Sequence, residues 1–417
     1  MTWTARTLGE IARQAGGEVR TGPFGSQLHK SDYVDDLTAT PVVMPKDMVD
    51  GRVDPRSIAR VDDRVVERLC SHVLRTGDIV LGRRGEIGRR AWTGDVEDGW
   101  LCGTGSMRIT INGSTEVRPR FLFYYLGLPQ TIGWLQGHAV GATMSNLSAG
   151  VVQQLPVRYP RTAVQDAIIE VLDAVENLID NNRRRIEILE EMARLLYREW
   201  LVHFRFPGHE DVALVDSELG PIPEGWRWRN LFDLADVGFG FSFKSNRFAD
   251  AGPIRVVRIR DVPNNTTSTY TDEDPGERYE IHNGDTLIGM DGDFHMCRWA
   301  DGLAHLNQRV ARLRSKGQLS QLLLHLALEQ PIQRFNQTII GTTVAHLGKR
   351  HLKEIFIAEP SSPVLATVNK CLQPIFQLDL NLHRQDRALR EARDLLLPRL
   401  VSGELDASEL ELGVAAV

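Results

Sequence analysis

The residues that invite a chemical reading are glycine turns, one His/Cys pair and many arginines. His295 and Cys297 stand two apart, but no second pair accompanies them, so the spacing does not describe a zinc site. Gly238-Phe239-Gly240 and Gly103-Thr104-Gly105 each begin like a dinucleotide fingerprint. Neither completes GxGxxG after a strand, and both read as turns. Gly82-Arg83-Arg84-Gly85-Glu86-Ile87-Gly88 spaces its glycines by three, which suits a turn and not a phosphate cradle, and no GxxxxGK(S/T) loop occurs. The Asn/Asp-Pro-Pro-Tyr/Phe run that grips a flipped adenine is absent, and no carboxylates pair with a lysine in a nuclease pattern. The chain is therefore expected to be non-catalytic alone, with no metal or cofactor of its own.

What remains is recognition. Most of the positive charge is arginine, which can grip phosphate or guanine with two hydrogen bonds; a GC-rich genome would produce the same bias. The net charge of −6 decides little, because phosphate contacts need a local basic face only. At 417 residues with 42% hydrophobic content, the chain should hold more than one domain. Its opening residues lack a signal-peptide core, and no run approaches the ~18 apolar residues of a membrane helix. Cys70, Cys102, Cys297 and Cys371 are far apart, which fits a reducing cytoplasm.

The elements that must position the arginines come in duplicate. Leu74-Arg75-Thr76-Gly77-Asp78-Ile79-Val80-Leu81-Gly82 matches Ile281-His282-Asn283-Gly284-Asp285-Thr286-Leu287-Ile288-Gly289, each a Gly-Asp turn and a short buried strand. Gly141-Ala142-Thr143-Met144-Ser145-Asn146-Leu147 matches Gly341-Thr342-Thr343-Val344-Ala345-His346-Leu347, in the same order.

Each half ends in a heptad-patterned helix. The first runs from near Thr162 to about Trp200 through Ile168, Val175, Leu178, Asn182, Leu189 and Leu196. The second runs from about Pro363 to Leu400 through Val368, Ile375, Leu378, Leu382, Gln385, Leu389 and Leu396. At roughly 38 residues each would span about 57 Å. Packed as an antiparallel pair, they hide both stripes. Pro374 should kink the second helix or split off its first turns. Asn182 and Gln385, polar at seam positions, could fix register or face water.

These residues resemble the specificity subunit of type I restriction-modification systems. The resemblance rests on Leu155-Pro156-Val157, Gln165-Asp166-Ala167-Ile168, Leu196-Tyr197-Arg198-Glu199-Trp200, Phe204-Arg205-Phe206-Pro207, Gly220-Pro221-Ile222-Pro223-Glu224-Gly225-Trp226 and Leu397-Pro398-Arg399-Leu400-Val401-Ser402-Gly403-Glu404-Leu405. It implies an α+β chain with two target-recognition domains, each reading half of a split double-stranded DNA site. Two long antiparallel helices would form a coiled-coil spacer and dock two methyltransferase subunits. Two restriction (motor-nuclease) subunits complete the assembly, and S-adenosylmethionine, ATP and Mg belong to the partners. The expected division is 1–158 and 225–358 for recognition, 159–206 and 359–402 for the helices, 207–224 for a linker and 403–417 for a tail. The second half has Ser362-Pro363-Val364-Leu365 where the first has Thr162-Ala163-Val164-Gln165, so the two helix starts should make unequal contacts.

For DNA contact the candidates are Ser26, Lys30, Lys46, Arg83, Arg84, Arg89 and Arg90 in the first half. In the second they are Lys244, Arg247, Arg258, Arg260, His346, Lys349 and Arg350. Arg183-Arg184-Arg185 could follow phosphates of an unread spacer, meet a partner subunit or simply wet a helix face.

Overall fold

The computed structural model describes residues 3–112, 116–140, 146–339 and 345–407. The matched segments Gly141–Ser145 and Gly341–Val344, and the end of the expected tail, lie outside the described residues. The chain is mixed helix and sheet and divides into two compact units, Met1–Asn177 with Arg390–Val417, and Leu178–Leu389.

The two units repeat one plan. In the first, strand Trp3–Thr7 pairs antiparallel with Pro156–Pro160. Helix Leu8–Gln14 follows at once because Thr7 and Glu10 form a reciprocal capping box. A four-stranded sheet has the order Glu18–Thr21, Ser106–Thr110, Ile79–Gly82, Arg90–Trp92. In the second unit, Arg227–Asn230 pairs with Phe356–Glu359. Its sheet runs Ala235–Phe239, Val310–Ser315, Thr286–Gly289, Met296–Arg298.

Register makes the equivalence specific. Gly82 faces Ser106 and Val80 faces Arg108; Gly289 faces Val310 and Leu287 faces Arg312. A one-residue slip would turn every side chain to the other face, so the shared register fixes which residues correspond. The Gly-Asp turns agree as well. Gly77 and Gly284 have φ of 92° and 98°, which glycine adopts without a Cβ penalty. Asp78 accepts from the Arg75 amide at 2.7 Å and Asp285 from the His282 amide at 2.8 Å. A second small sheet in each unit holds a parallel pair, Thr40–Val43 with Leu101–Cys102 and Ile254–Val257 with Ala304–Leu306.

The helical layers differ. Pro119–Tyr125 and Pro129–Gly137 are two short helices, each with proline in its first turn, where its missing N–H costs nothing. Their counterpart is one helix, Gln321–Thr338, carrying Pro331 inside it.

The long helices are Thr162–Tyr197, continued by a wide π-type turn Arg198–Val202, and Ser362–Ser402. In the first unit, Val164, Ile168, Val171 and Leu172 share a core with Leu397, Leu400 and Val401. In the second, Ala193 and Leu201 share one with Leu365, Val368 and Leu372. The start of each helix thus meets the end of the other, which is antiparallel pairing. Ile168, Val368, Leu382 and Asn182 are buried, while Val175, Leu189, Leu196, Ile375, Leu389 and Leu396 are partly buried.

One expectation needs correction. The seam residues Leu178 and Leu378 are 54% and 38% exposed; Gln385 is exposed, in keeping with the reading that it faces water. A straight helix drifts about 20° per heptad from a strict seam, and each helix also buries a face on its own domain, so Leu172, Ile179 and Leu372 are covered instead. Of the kink or split expected at Pro374, the split does not occur, since the helix runs unbroken through it. That proline lies on an exposed face, where water can take up the carbonyl it leaves unpaired, and Leu372, Ile375 and Phe376 pack the flanking turns into one core. Within 207–224, Leu214–Val215 pairs with Ile222–Pro223, and Trp226, just beyond, stacks on Phe206, just before. Among the described residues no helix is long and apolar enough to cross a membrane.

Candidate nucleic-acid interface

In each unit the loops at the Gly82 or Gly289 end of the central strand come together. In the first unit, Gly22 packs so tightly on the turn Gly103–Gly105 that a Cβ would sit 1.9 Å from the Gly103 carbonyl oxygen. The Arg83 amide donates to the Gly105 carbonyl at 3.0 Å, and the Arg83 carbonyl accepts from the Leu147 amide at 2.9 Å. Arg84 forms a β-bridge with Asn146. Lys46 stands on a one-turn helix, Pro45–Asp47, closed by Asp47 accepting from the Met44 amide at 2.9 Å.

The second unit builds the same cluster. Gly240 would place a Cβ 2.0 Å from the Asn307 carbonyl oxygen. Met290 is bonded to the Arg309 carbonyl at 2.9 Å and to the Leu347 amide at 2.8 Å, and Asp291 bridges to His346. Arg260 stands on the turn Ile259–Asp261, closed by Asp261 accepting from the Arg258 amide at 2.8 Å. The correspondences are Lys46 with Arg260, Arg83 with Met290, Arg84 with Asp291, and Asn146 with His346. Lys46 and Arg260 have equal side-chain exposure, 64%.

The candidate residues fall into three groups. Ser26, Lys30, Lys46, Arg84, Lys244, Arg260 and Arg350 are exposed on their units. Arg84 holds Asn146 Oδ1 only at 3.5 Å, while Arg350 turns to its neighbour His351 at 3.2 Å. Others are engaged by neighbouring side chains. Arg89 pairs with Glu86. Arg247 meets Asp272 at 2.7 Å, a hydrogen bond that raises the guanidinium pKa further. His346 Nδ1 lies 2.6 Å from Asp291, which Arg309 also approaches at 3.2 Å. Arg258 lies over Phe248 at 5.1 Å and Lys349 over Phe232 at 5.8 Å.

Two residues depart from an open surface. Arg83 is only 3% exposed. Arg90 does not join the cluster: its Nε donates to the Phe123 carbonyl at 2.8 Å, and the guanidinium lies 4.8 Å over the Phe123 ring. Burial pushes its pKa down to about 10, with Arg393 adding to the effect. Gly127 makes the room, since a Cβ there would overlap the guanidinium at 1.8 Å. Arginine type and position in a loop are visible in a sequence; the carbonyl that captures it is not.

Sequence reasoning did not single out Thr104, Asp291 and Arg309, which the fold places in the two loop clusters. The available signal was placement: Gly103-Thr104-Gly105 and Asn307-Gln308-Arg309 fill the same turn, but share no residue types. Among the described residues, no group of three His, Cys, Asp or Glu side chains is placed to hold a metal.

Residues 2–191 and 223–383 each match the family described as the type I restriction modification DNA specificity domain. The chain belongs to this family. It is a DNA-specificity subunit with two recognition domains. The type I restriction enzyme MjaIX specificity subunit of Methanocaldococcus jannaschii is 23% identical over 98% of this chain and 94% of its own. The HindI specificity subunit of Haemophilus influenzae is 22% identical over 80% and 87%. The crystal structure of a type I system S subunit from M. genitalium shares the fold, with a TM-score of 0.55 at 14% identity over 96% of both chains.

Proposed function

We propose that this specificity subunit reads a bipartite, asymmetric DNA target. Residues 1–158 read one half-site and 225–358 read the other, while the long helices set the unread spacer. The observation that carries the reading is chemical divergence on a shared frame. Where the first domain has buried Arg83 followed by exposed Arg84, the second has buried Met290 followed by Asp291 at the same register positions. A cation donates to guanine or phosphate, whereas a carboxylate accepts from cytosine N4. Two domains built alike but charged oppositely at one turn should read different bases. Lys46 and Arg260, alike in position and exposure, suit the shared task of positioning on phosphates.

The chain supplies recognition only. Chemistry falls to two methyltransferase subunits docked on the helices and two motor-nuclease subunits, all acting in the cytoplasm. Those partners carry the S-adenosylmethionine, ATP and Mg.

The test is methylation-aware sequencing of DNA from cells coexpressing the chain with its methyltransferase. A split motif with unlike halves is expected; a continuous motif, or none, would overturn the reading. Exchanging residues 1–158 for a related domain should rewrite one half alone. Changing the helices by a turn should alter the spacer and leave both halves legible.

A further inference from the structure

We propose that Arg83 is a DNA-reading group of the first recognition domain, held beneath Phe24 and uncovered when that ring moves against the nucleic acid. The inference rests on the proposed reading of one half-site by this domain.

Arg83 is 3% exposed, yet its Nη2 atom has no hydrogen-bond partner among the described residues. Its only side-chain hydrogen bond there is a long one, Nε to the Thr104 carbonyl at 3.3 Å. Leaving a buried donor unpaired costs about 1–3 kcal/mol, more when it is charged. The fold does not require that cost. Met290 occupies the equivalent position in the second domain, equally buried at 5% exposure and bonded through its backbone in the same way. Methionine fills the site without a charge to satisfy, so the arginine answers to a partner outside the domain.

A ring lies over the charge. Phe24 lies 5.6 Å from the guanidinium by its ring centroid and is itself 55% exposed. Its loop is anchored on both sides, at Gly22 by close packing on Gly103 and at Leu28 by burial. In the proposal it is the exposed ring, and not the anchored loop base, that moves. Beside it stands exposed Arg84, while the nearest carboxylate on the turn, Glu86, is taken by Arg89. Unpaired N–H groups in a positive setting suit oxygen- and nitrogen-acceptor DNA groups, either a phosphate or the O6/N7 edge of guanine.

The test uses the full chain assembled with its methyltransferase and a randomised duplex library. Wild type should select a bipartite motif. Arg83→Met, which copies the second domain, should keep the denaturation midpoint while weakening DNA binding and leaving discrimination in the half-site assigned to residues 225–358 unchanged. If Arg83 reads a base edge, discrimination at one position should fall by roughly fivefold to a hundredfold. If it holds a phosphate, binding should weaken uniformly and the salt slope should drop by about 1. In a second readout, labelling of Arg83 by phenylglyoxal should rise in Phe24→Ala and be blocked by the selected duplex. Should Arg83→Met fold poorly, Arg83→Gln replaces it, removing the charge with the same losses expected. Unchanged motif, affinity and salt slope in the variant, or labelling indifferent to DNA, would overturn the proposal. A wild type that selects no motif would instead bring down the half-site reading itself.

Discussion

The two recognition domains solve the same mechanical problem with different side chains. Each must be tied to a long helix. In the first, Arg120 reaches Asp173 of the first long helix at 2.7 Å and lies 5.0 Å over Trp92. In the second, the position of Trp92 is taken by Arg298, which reaches Asp379 of the second long helix at 3.1 Å and Glu190 at 2.9 Å. The helix starts differ in the same manner. Gln165 is fully buried and accepts from the Arg118 amide at 2.8 Å while donating to the Glu116 and Pro160 carbonyls at 2.7 and 2.8 Å. Its counterpart Leu365 sits in an apolar core. Backbone register is shared, and the choice between a polar latch and an apolar plug is free as long as each is complete.

The largest effect should come from breaking the tie unique to the second domain. Arg298→Met strands Asp379, whose carboxyl burial already pushes up in pKa. Removing one partner of a buried ion pair costs about 3–5 kcal/mol, which chemical denaturation should register as loss from Leu178–Leu389 with the first unit intact. Equal loss from Arg120→Met would instead suggest interchangeable ties.

Exchanging the helix starts should come next. Gln165→Leu leaves up to three backbone groups without a bond, at about 1–3 kcal/mol for each that stays buried. Leu365→Gln buries an unpaired amide, again at about 1–3 kcal/mol. Both variants should lower the denaturant midpoint. If either is neutral, the two starts are more alike than their hydrogen bonds indicate.

Smaller and symmetric effects are expected at Lys46 and Arg260, the positions proposed to meet phosphates. Lys46→Ala and Arg260→Ala should each weaken DNA binding without changing the motif, and each should reduce the salt slope by about 1. Loss of specificity in one but not the other would break the assigned equivalence.

The smallest effect concerns acid. The hydrogen bonds from Arg118 hold Asp166 below the ordinary carboxylate range, and the second half has Ala366 in its place. A depressed folded-state pKa contributes stability above the unfolded value of about 3.9 and loses it as pH falls through the folded one. Asp166→Asn should therefore flatten the acid limb of a stability–pH curve slightly, whereas Ala366→Asp should leave it unchanged for want of an equivalent arginine.

Periodicity and repeated turns made the frame legible in the sequence. The Gly-Asp turn recurs because one backbone geometry needs φ > 0 and a carboxylate to take up the amide, and such demands survive divergence. Long heptad helices announced themselves by the 3–4 step of their apolar residues, though Leu178, Leu378 and Gln385 show how far a regular stripe departs from the buried face.

Local rules thus determined by themselves the duplication, the long helices and the surplus of candidate cations, because each depends on neighbours in the chain. Tertiary structure decided which cations are available. Arg83, Arg84, Arg89 and Arg90 are nearly consecutive, yet one is buried beneath a ring, one exposed, one paired and one turned onto a distant carbonyl. Their fates depend on Phe24, Glu86 and Phe123, and two of those partners reach them only when separate strands and helices close around the sheet.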